Sequence, residues 1–217
     1  TTPSRVHWVN WTIEAMLVKP AKVAITGGIA TGKSTVSKMF EELGAVILDA
    51  DQVAREVVAP GSPGWEGLRR LLGPDYFGEA GELKRAMLRD LIIADRQCRE
   101  QVNAILHPAI LERMNGEWRR HAEANDGRPV LFDIPLLFEG KWDRYFQTIV
   151  LVYVPREIQL QRLMARDSLS RPEAEKTLTM QLPIDSKKAL SHIIIDNSKD
   201  LEHTRHQVGA VWNQLKN

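Results

Sequence analysis

The chain has 217 residues, with 29 lysines and arginines against 28 aspartates and glutamates, a formal net charge of +1. That length gives room for one α/β domain with an insertion, and 43% hydrophobic with 26% charged residues excludes wholesale disorder. Near-neutrality argues against a chain-wide nucleic-acid surface but leaves a local basic pocket open. The one cysteine, Cys98, excludes an internal disulfide and a Cys-based zinc site. No apolar run approaches eighteen residues and the start is not signal-like, so no membrane partner is expected and the cytoplasm is the expected location.

In chain order, residues 1–20 read as an N-terminal extension: Trp8 and Trp11 fall in no hydrophobic period, and Met16 is a natural start just before the first strand. Residues 23–26 (VAIT) are a short apolar strand closed by glycines, followed by a helix over 33–43 that Gly44 stops. Further strands are predicted at 45–49, 129–133, 148–153 and 192–196. All are continuously apolar rather than alternating, the pattern of a parallel sheet covered by helices on both faces. The fold predicted is α/β, with ligands placed where strand ends meet helix starts. Residues 60–125, between the second and third strands, exceed a simple crossover and read as a helical insertion. Turn clusters stand at 60–64 and 73–81, followed by a helical pattern over 82–124 with Leu83, Met87 and Leu91 on one face. His107-Pro108 is expected to break that helix, and Cys98 to pack inside it. Ser170 and Glu173 form a capping-box start for a helix that Pro183 should terminate.

Residues 27–34 (GGIATGKS) fit G-x-x-x-x-G-K-[ST], between a predicted strand and a predicted helix. Glycines let successive N–H groups turn toward phosphate oxygens, and the helix start adds its positive end. Lys33 would reach the β- and γ-phosphates of a nucleotide, with the Ser34 hydroxyl on Mg²⁺. Asp49 and Asp51 end the second strand: a carboxylate there suits a general base for an acceptor hydroxyl, and equally suits a helix cap. Asp133 closes the third strand in the place of a metal-holding carboxylate, directly or through water. Residues 134–139 (IPLLFE) read as core ending in a surface charge. Arg162 and Arg166 share a helix face with Arg171 beyond them; they suit either a mobile arginine-bearing lid or a solvated face beside Glu157 and Asp167. His203 and His206 lack the partners of a metal site and are assigned to the surface.

Taken together, these motifs resemble the dephospho-coenzyme A kinase family. The resemblance runs from Val23 to the C-terminus and rests on residues 26–35, on DADQVAREVV (49–58), His107-Pro108, PLLFE (135–139), Gln161-Arg162, Gln181 and IDNS (195–198). It implies a P-loop NTPase three-layer sandwich with a helical insertion and a lid, transferring the ATP γ-phosphoryl group to the ribose 3′-hydroxyl of dephospho-CoA. By that similarity Asp51, Lys33 and Arg162 are the catalytic residues. Gly27, Ala30, Thr31, Gly32, Lys33, Ser34, Thr35, Arg162 and Asn197 bind ATP. Asp51, Arg55, His107, Pro135, Leu136 and Glu139 meet the acceptor, and Ser34 with Asp133 holds Mg²⁺. Residues 60–125 become the CoA-binding insertion and 156–183 the lid, in a monomer or small homo-oligomer. The chain departs from the family pattern at Thr177, where a lid arginine is usual, and at Lys199, where glycine often stands.

Two other readings stay open on the residues alone. One is a nucleoside or small-metabolite kinase on the same scaffold. The other is a nucleotide-binding switch, although residues 197–200 (NSKD) do not have the guanine-reading order Asn-Lys-x-Asp.

Overall fold

The computed structural model describes residues 21–124, 127–216; the expected extension over 1–20 lies outside them. Five parallel strands, β1 (Val23–Gly27), β2 (Val46–Asp49), β3 (Val130–Asp133), β4 (Thr148–Tyr153) and β5 (Ile193–Asp196), stand in the order β2-β3-β1-β4-β5. β1 is the centre and is buried at every position, whereas edge strands β2 and β5 are mostly half-buried. Successive β1 residues face opposite sides. Ala24 joins Phe132, Ile149, Ile110 and Met114 on one face, while Val23 and Ile25 join Val36, Phe40, Leu131 and Val208 on the other. This two-sided burial is why the strands carry no polar alternation. The register aligns Ile25 with Asp133 and Asp49 with Asp133, so the ends of β1, β2 and β3 reach one rim of the sheet.

The helix after β1, α1 (Lys33–Glu42), ends before Gly44, whose φ of 103° permits the reversal into β2. α2 (Ala50–Glu56), α3 (Pro63–Leu72), α4 (Arg85–Ala94) and α5 (Arg96–Ala124) fill the passage from β2 to β3. Val58, Leu68, Phe77, Leu88 and Val102 form a separate core there, with Cys98 packed against it. β4 leads into α6 (Arg156–Asp167), α7 (Arg171–Leu178) and α8 (Ile184–Ala189), and α9 (Leu201–Lys216) closes the chain against α1.

Four expectations need correction. The helix predicted over 82–124 is two helices, α4 and α5, meeting at Asp95. Leu83 precedes α4, in an antiparallel bridge with Phe77, and Met87 is exposed; Leu88 is the residue α4 buries. Pro108 lies inside a continuous α5 rather than breaking it. A proline there removes one N–H and costs about 3 kcal/mol, and burial of Val102, Ile110, Met114 and Trp118 on the same helix offsets that loss. Pro183 does not end α7, which stops at Leu178; it is the N-cap of α8 instead.

α3 makes its closest approach at Gly64, where a Cβ would stand 2.3 Å from the Val57 carbonyl oxygen. Ala is ordinarily the better helix former, yet here backbone would have to move. Gly64→Ala should therefore destabilise the protein by roughly 1–3 kcal/mol, seen as a lower urea midpoint at unchanged slope. A midpoint at or above that of the parent would refute the packing argument.

Candidate active site

The loop between β1 and α1 is built from local geometry. The Thr31 N–H and hydroxyl both donate to the Gly28 carbonyl, at 3.3 and 2.9 Å, while Ala30 and Gly32 adopt φ of 59° and 83°. Side-chain space is absent here: a Cβ on Gly32 would lie 2.3 Å from Asn197 Nδ2, and one on Gly28 2.4 Å from Gln159 Nε2. Thr31 is fully buried, so its hydroxyl serves the turn. The other predicted loop residues, Gly27, Ala30, Gly32, Lys33, Ser34 and Thr35, line a cleft of about 740 Å³ with Arg162, Arg166, Asn197 and Lys199.

Polar side chains from later in the chain hold this loop. Gln181 Oε1 accepts from the Ile29 N–H at 2.9 Å, and Gln159 Nε2 donates to the Ile29 carbonyl at 2.8 Å. Asn197 is buried; its Nδ2 donates to the Thr31 carbonyl and its Oδ1 accepts from the Thr204 hydroxyl, at 2.8 and 2.9 Å. Arg162 donates to the Asn197 carbonyl at 2.9 Å. Of the other two arginines, Arg166 is paired to Asp167, while Arg171 forks onto Glu157 at 3.0 and 3.1 Å and also meets Glu175. Arg171 is thus engaged with exposed Glu157, whose pKa its hydrogen bond lowers, whereas Arg162 lines the cleft.

Asp133 is buried and ion-paired with Lys33, and its second oxygen accepts from Ser37 Oγ at 2.7 Å. The two aspartates after β2 divide their tasks. Asp49 caps α2, accepting from the N–H groups of Asp51 and Gln52 at 2.7 and 3.1 Å, whereas among the described residues no hydrogen bond engages the Asp51 side chain. Partial desolvation first, then the charges of Asp49 and Asp133, raise the Asp51 pKa against the opposing pull of Lys33 and Arg55.

Asp51 lines a second cleft of about 560 Å³ with Arg99, Asn103, His107, Pro135, Leu136, Glu139, Trp142 and Met180, and Pro135 is a wall of both clefts. Within residues 134–139, Ile134, Leu137 and Phe138 enter the core while Leu136 is exposed to this second cleft, so the apolar run serves both purposes. His107 Nδ1 accepts from Trp142 Nε1 at 3.1 Å, the rings meet edge to face, and burial lowers the His107 pKa. Arg55 stands near Asp51 but is not part of the wall. Sequence reasoning did not find Arg99, Asn103 or Trp142, nor Gln159 behind the loop. Arg99, Asn103 and His107 lie four apart along α5, a spacing that could have grouped them. Among the described residues no three His, Cys, Asp or Glu side chains gather to hold a metal ion, and His203 and His206 enter no such group. No described helix is long and apolar enough to cross a membrane.

A glycine-rich loop at the centre of a parallel sheet, beside a carboxylate-bearing second cleft, defines a P-loop kinase. The dephospho-CoA kinase family matches residues 21–203. A dephospho-CoA kinase of Carboxydothermus hydrogenoformans is 39% identical over 93% of this chain and 97% of its own length, and one of Syntrophotalea carbinolica is 42% identical over 89% and 91%. Among solved structures, the Thermus thermophilus protein TT1252 superposes with a TM-score of 0.76 at 31% identity, covering 90% of this chain and 98% of that one. The dephospho-CoA kinase of Campylobacter jejuni gives 0.69 at 22% identity, covering 90% and 96%, and supports the fold. The chain belongs to the dephospho-CoA kinase family, which carries out the ATP-dependent phosphorylation of dephospho-CoA that completes coenzyme A synthesis.

Because the folded state raises the Asp51 pKa, that state binds its proton more tightly than the unfolded chain does. Ionised Asp51 therefore subtracts stability once the pH exceeds the folded value, and subtracts none below the ordinary value of 3.8. Asp51→Asn should raise the melting temperature at neutral pH, with the gain shrinking as the pH falls through the window between those values. A lower melting temperature at neutral pH would contradict the electrostatic account.

Proposed function

We propose that Asp51 is the general base that takes the proton of the ribose 3′-hydroxyl of dephospho-CoA as that oxygen attacks the γ-phosphorus of ATP. The observation that carries this reading is the shared wall at Pro135. It joins the glycine-rich donor cleft to the cleft that holds Asp51, with Lys33 close enough to lower the Asp51 pKa. The attacking oxygen bonds to phosphorus as the bond from phosphorus to the β,γ-bridging oxygen of ATP breaks, leaving ADP and the 3′-phosphorylated product. Loop N–H groups and the N-terminus of α1 bind the phosphates, and Lys33 leaves Asp133 to follow the β- and γ-phosphates. Arg162 neutralises the charge on the moving phosphoryl group, while α6 and α7, within residues 156–183, cover it as a lid and exclude water.

Ser34 and Asp133 fit Mg²⁺. Both offer hard oxygens, Ser34 on the wall of the donor cleft and Asp133 behind it against Lys33, and Mg²⁺ characteristically takes one or two protein ligands and completes its shell with phosphates and water. Bound there, the ion supplies charge neutralisation between the phosphates. The acceptor lies along residues 60–125, with His107, Pro135 and Leu136 against it. His107 accepts the Trp142 indole N–H on Nδ1, which leaves Nε2–H as a donor. Arg99 is a further cation on that wall. Arg55 acts on the acceptor from outside the wall. The family's place in a central biosynthesis supports a cytoplasmic enzyme.

A coupled ADP-release assay with ATP, Mg²⁺ and dephospho-CoA, run beside adenosine and shikimate, tests the acceptor. Turnover specific to dephospho-CoA is expected, and its absence would sink the reading. Asp51→Asn should lower kcat by roughly 10²–10⁴-fold with nucleotide binding retained. The acid limb of the parent's kcat/KM profile should lie above the ordinary aspartate range, because the base must be ionised and its pKa is raised.

A further inference from the structure

Lys187 in α8 has no solvent exposure, and with Asp133 it makes up the fully charged side chains buried among the described residues. Its Nζ donates to the Gly27 carbonyl at 3.2 Å and is ion-paired with Glu139 Oε1 at 2.8 Å. The same carboxylate oxygen accepts from the Leu182 N–H at 2.9 Å, and the neighbouring Gln181 holds the Ile29 N–H. One ammonium therefore touches the last residue of β1, where the phosphate loop begins, and the last residue of the segment that walls the second cleft. Taking an ammonium wholly out of water is unfavourable unless its partners are well placed. A hydrophobic residue would fill the same space without that penalty.

We infer that Lys187 is a positioning residue that ties the donor loop to the acceptor wall, and that Glu139 acts through it rather than as a direct contact to the acceptor alone. Gly27 leaves no alternative way to brace the turn by a side chain of its own. A Cβ there would meet Thr31 Oγ1 at 2.5 Å and the Val152 carbonyl at 3.2 Å. The loop is instead held from outside, and Lys187 holds it at the carbonyl where strand becomes loop. Glu139 belongs to the second cleft, yet its effect is carried through Lys187 to the first. This inference rests on the donor-cleft reading given above.

The test is nucleotide binding without the acceptor. Calorimetry with a non-hydrolysable ATP analogue and Mg²⁺ should show Glu139→Gln binding about tenfold more weakly than the parent. A residue that only touches dephospho-CoA would leave that affinity unchanged, and an unchanged affinity overturns the inference. Lys187→Met should weaken nucleotide binding further and lower kcat per folded molecule, with folding followed by thermal melts. The double variant Lys187→Met with Glu139→Gln should recover part of the loss, because it no longer leaves a carboxylate facing an apolar side chain. If the two single effects multiply in the double variant, Glu139 does not act through Lys187. Should Lys187→Met fail to fold, Glu139→Gln still decides the matter, since it leaves the lysine in place. A parent protein that binds no nucleotide would fail the donor-cleft reading instead.

Discussion

A loop that binds phosphate must keep its N–H groups free for the ligand, so its shape has to be fixed from behind by other groups. In this protein those groups are side chains that arrive late in the chain. Gln159 follows β4, Gln181 lies in the link from α7 to α8, and Asn197 follows β5. The order of the sheet makes this possible. With β1 at the centre and β4 and β5 to one side, the segments that follow β4 and β5 bring Gln159, Gln181 and Asn197 back to the loop after β1. The passage from β2 to β3 lies on the opposite side and is free to carry an additional helical core. Placement of the second cleft thus follows from the demands of the first.

The strands were legible because burial on both faces writes an unbroken apolar run, and the structure places each within a residue of the expected span. The glycine-rich loop was legible because its motif is contiguous and its turn closes locally, Thr31 donating to the Gly28 carbonyl. Asp49 and Asp51 could not be separated from the sequence alone; the separation depends on which carboxylate the first turn of α2 captures. Arg99 and Trp142 were invisible as a pair because they reach one cleft only through the packing of α5 against the segment after β3, where Trp142 meets His107. Lys187 carries no local sign of burial, standing beside Lys188 in a six-residue helix with too few turns to establish a period. Pro108 and Pro183 misled for different reasons: tertiary packing carries α5 through Pro108, whereas Pro183 stands at the start of α8, where a missing N–H costs little, after α7 has already ended.

The distribution of charge acquires a similar explanation. The chain is almost neutral, and several of its arginines are already matched. Arg113 and Arg120 meet Glu117, Arg119 meets Glu112, and Arg205 meets Glu42. Surface pairs of this kind add little stability, but they quieten the outer face. Against that background Lys33, Arg162, Arg166 and Lys199 stand around one cleft with Asp200, so that an anionic ligand meets a positive field that Asp133, paired to Lys33, and Asp167, paired to Arg166, partly compensate.

α5 is a single helix of 29 residues, about 43 Å long at the usual rise. Its first half contributes Val102 to the core of the insertion, and its second half contributes Ile110, Met114 and Trp118 to the core beneath the sheet. A rod embedded in two cores cannot hinge between them without emptying one. The insertion and the sheet are thereby tied by one continuous helix, and on the proposed reading the covering of substrates falls to the smaller helical pair α6 and α7, whose own core includes Leu160, Leu163 and Ala174. Any movement of that pair would also be felt at the phosphate loop, because α6 carries Gln159, which holds the Ile29 carbonyl.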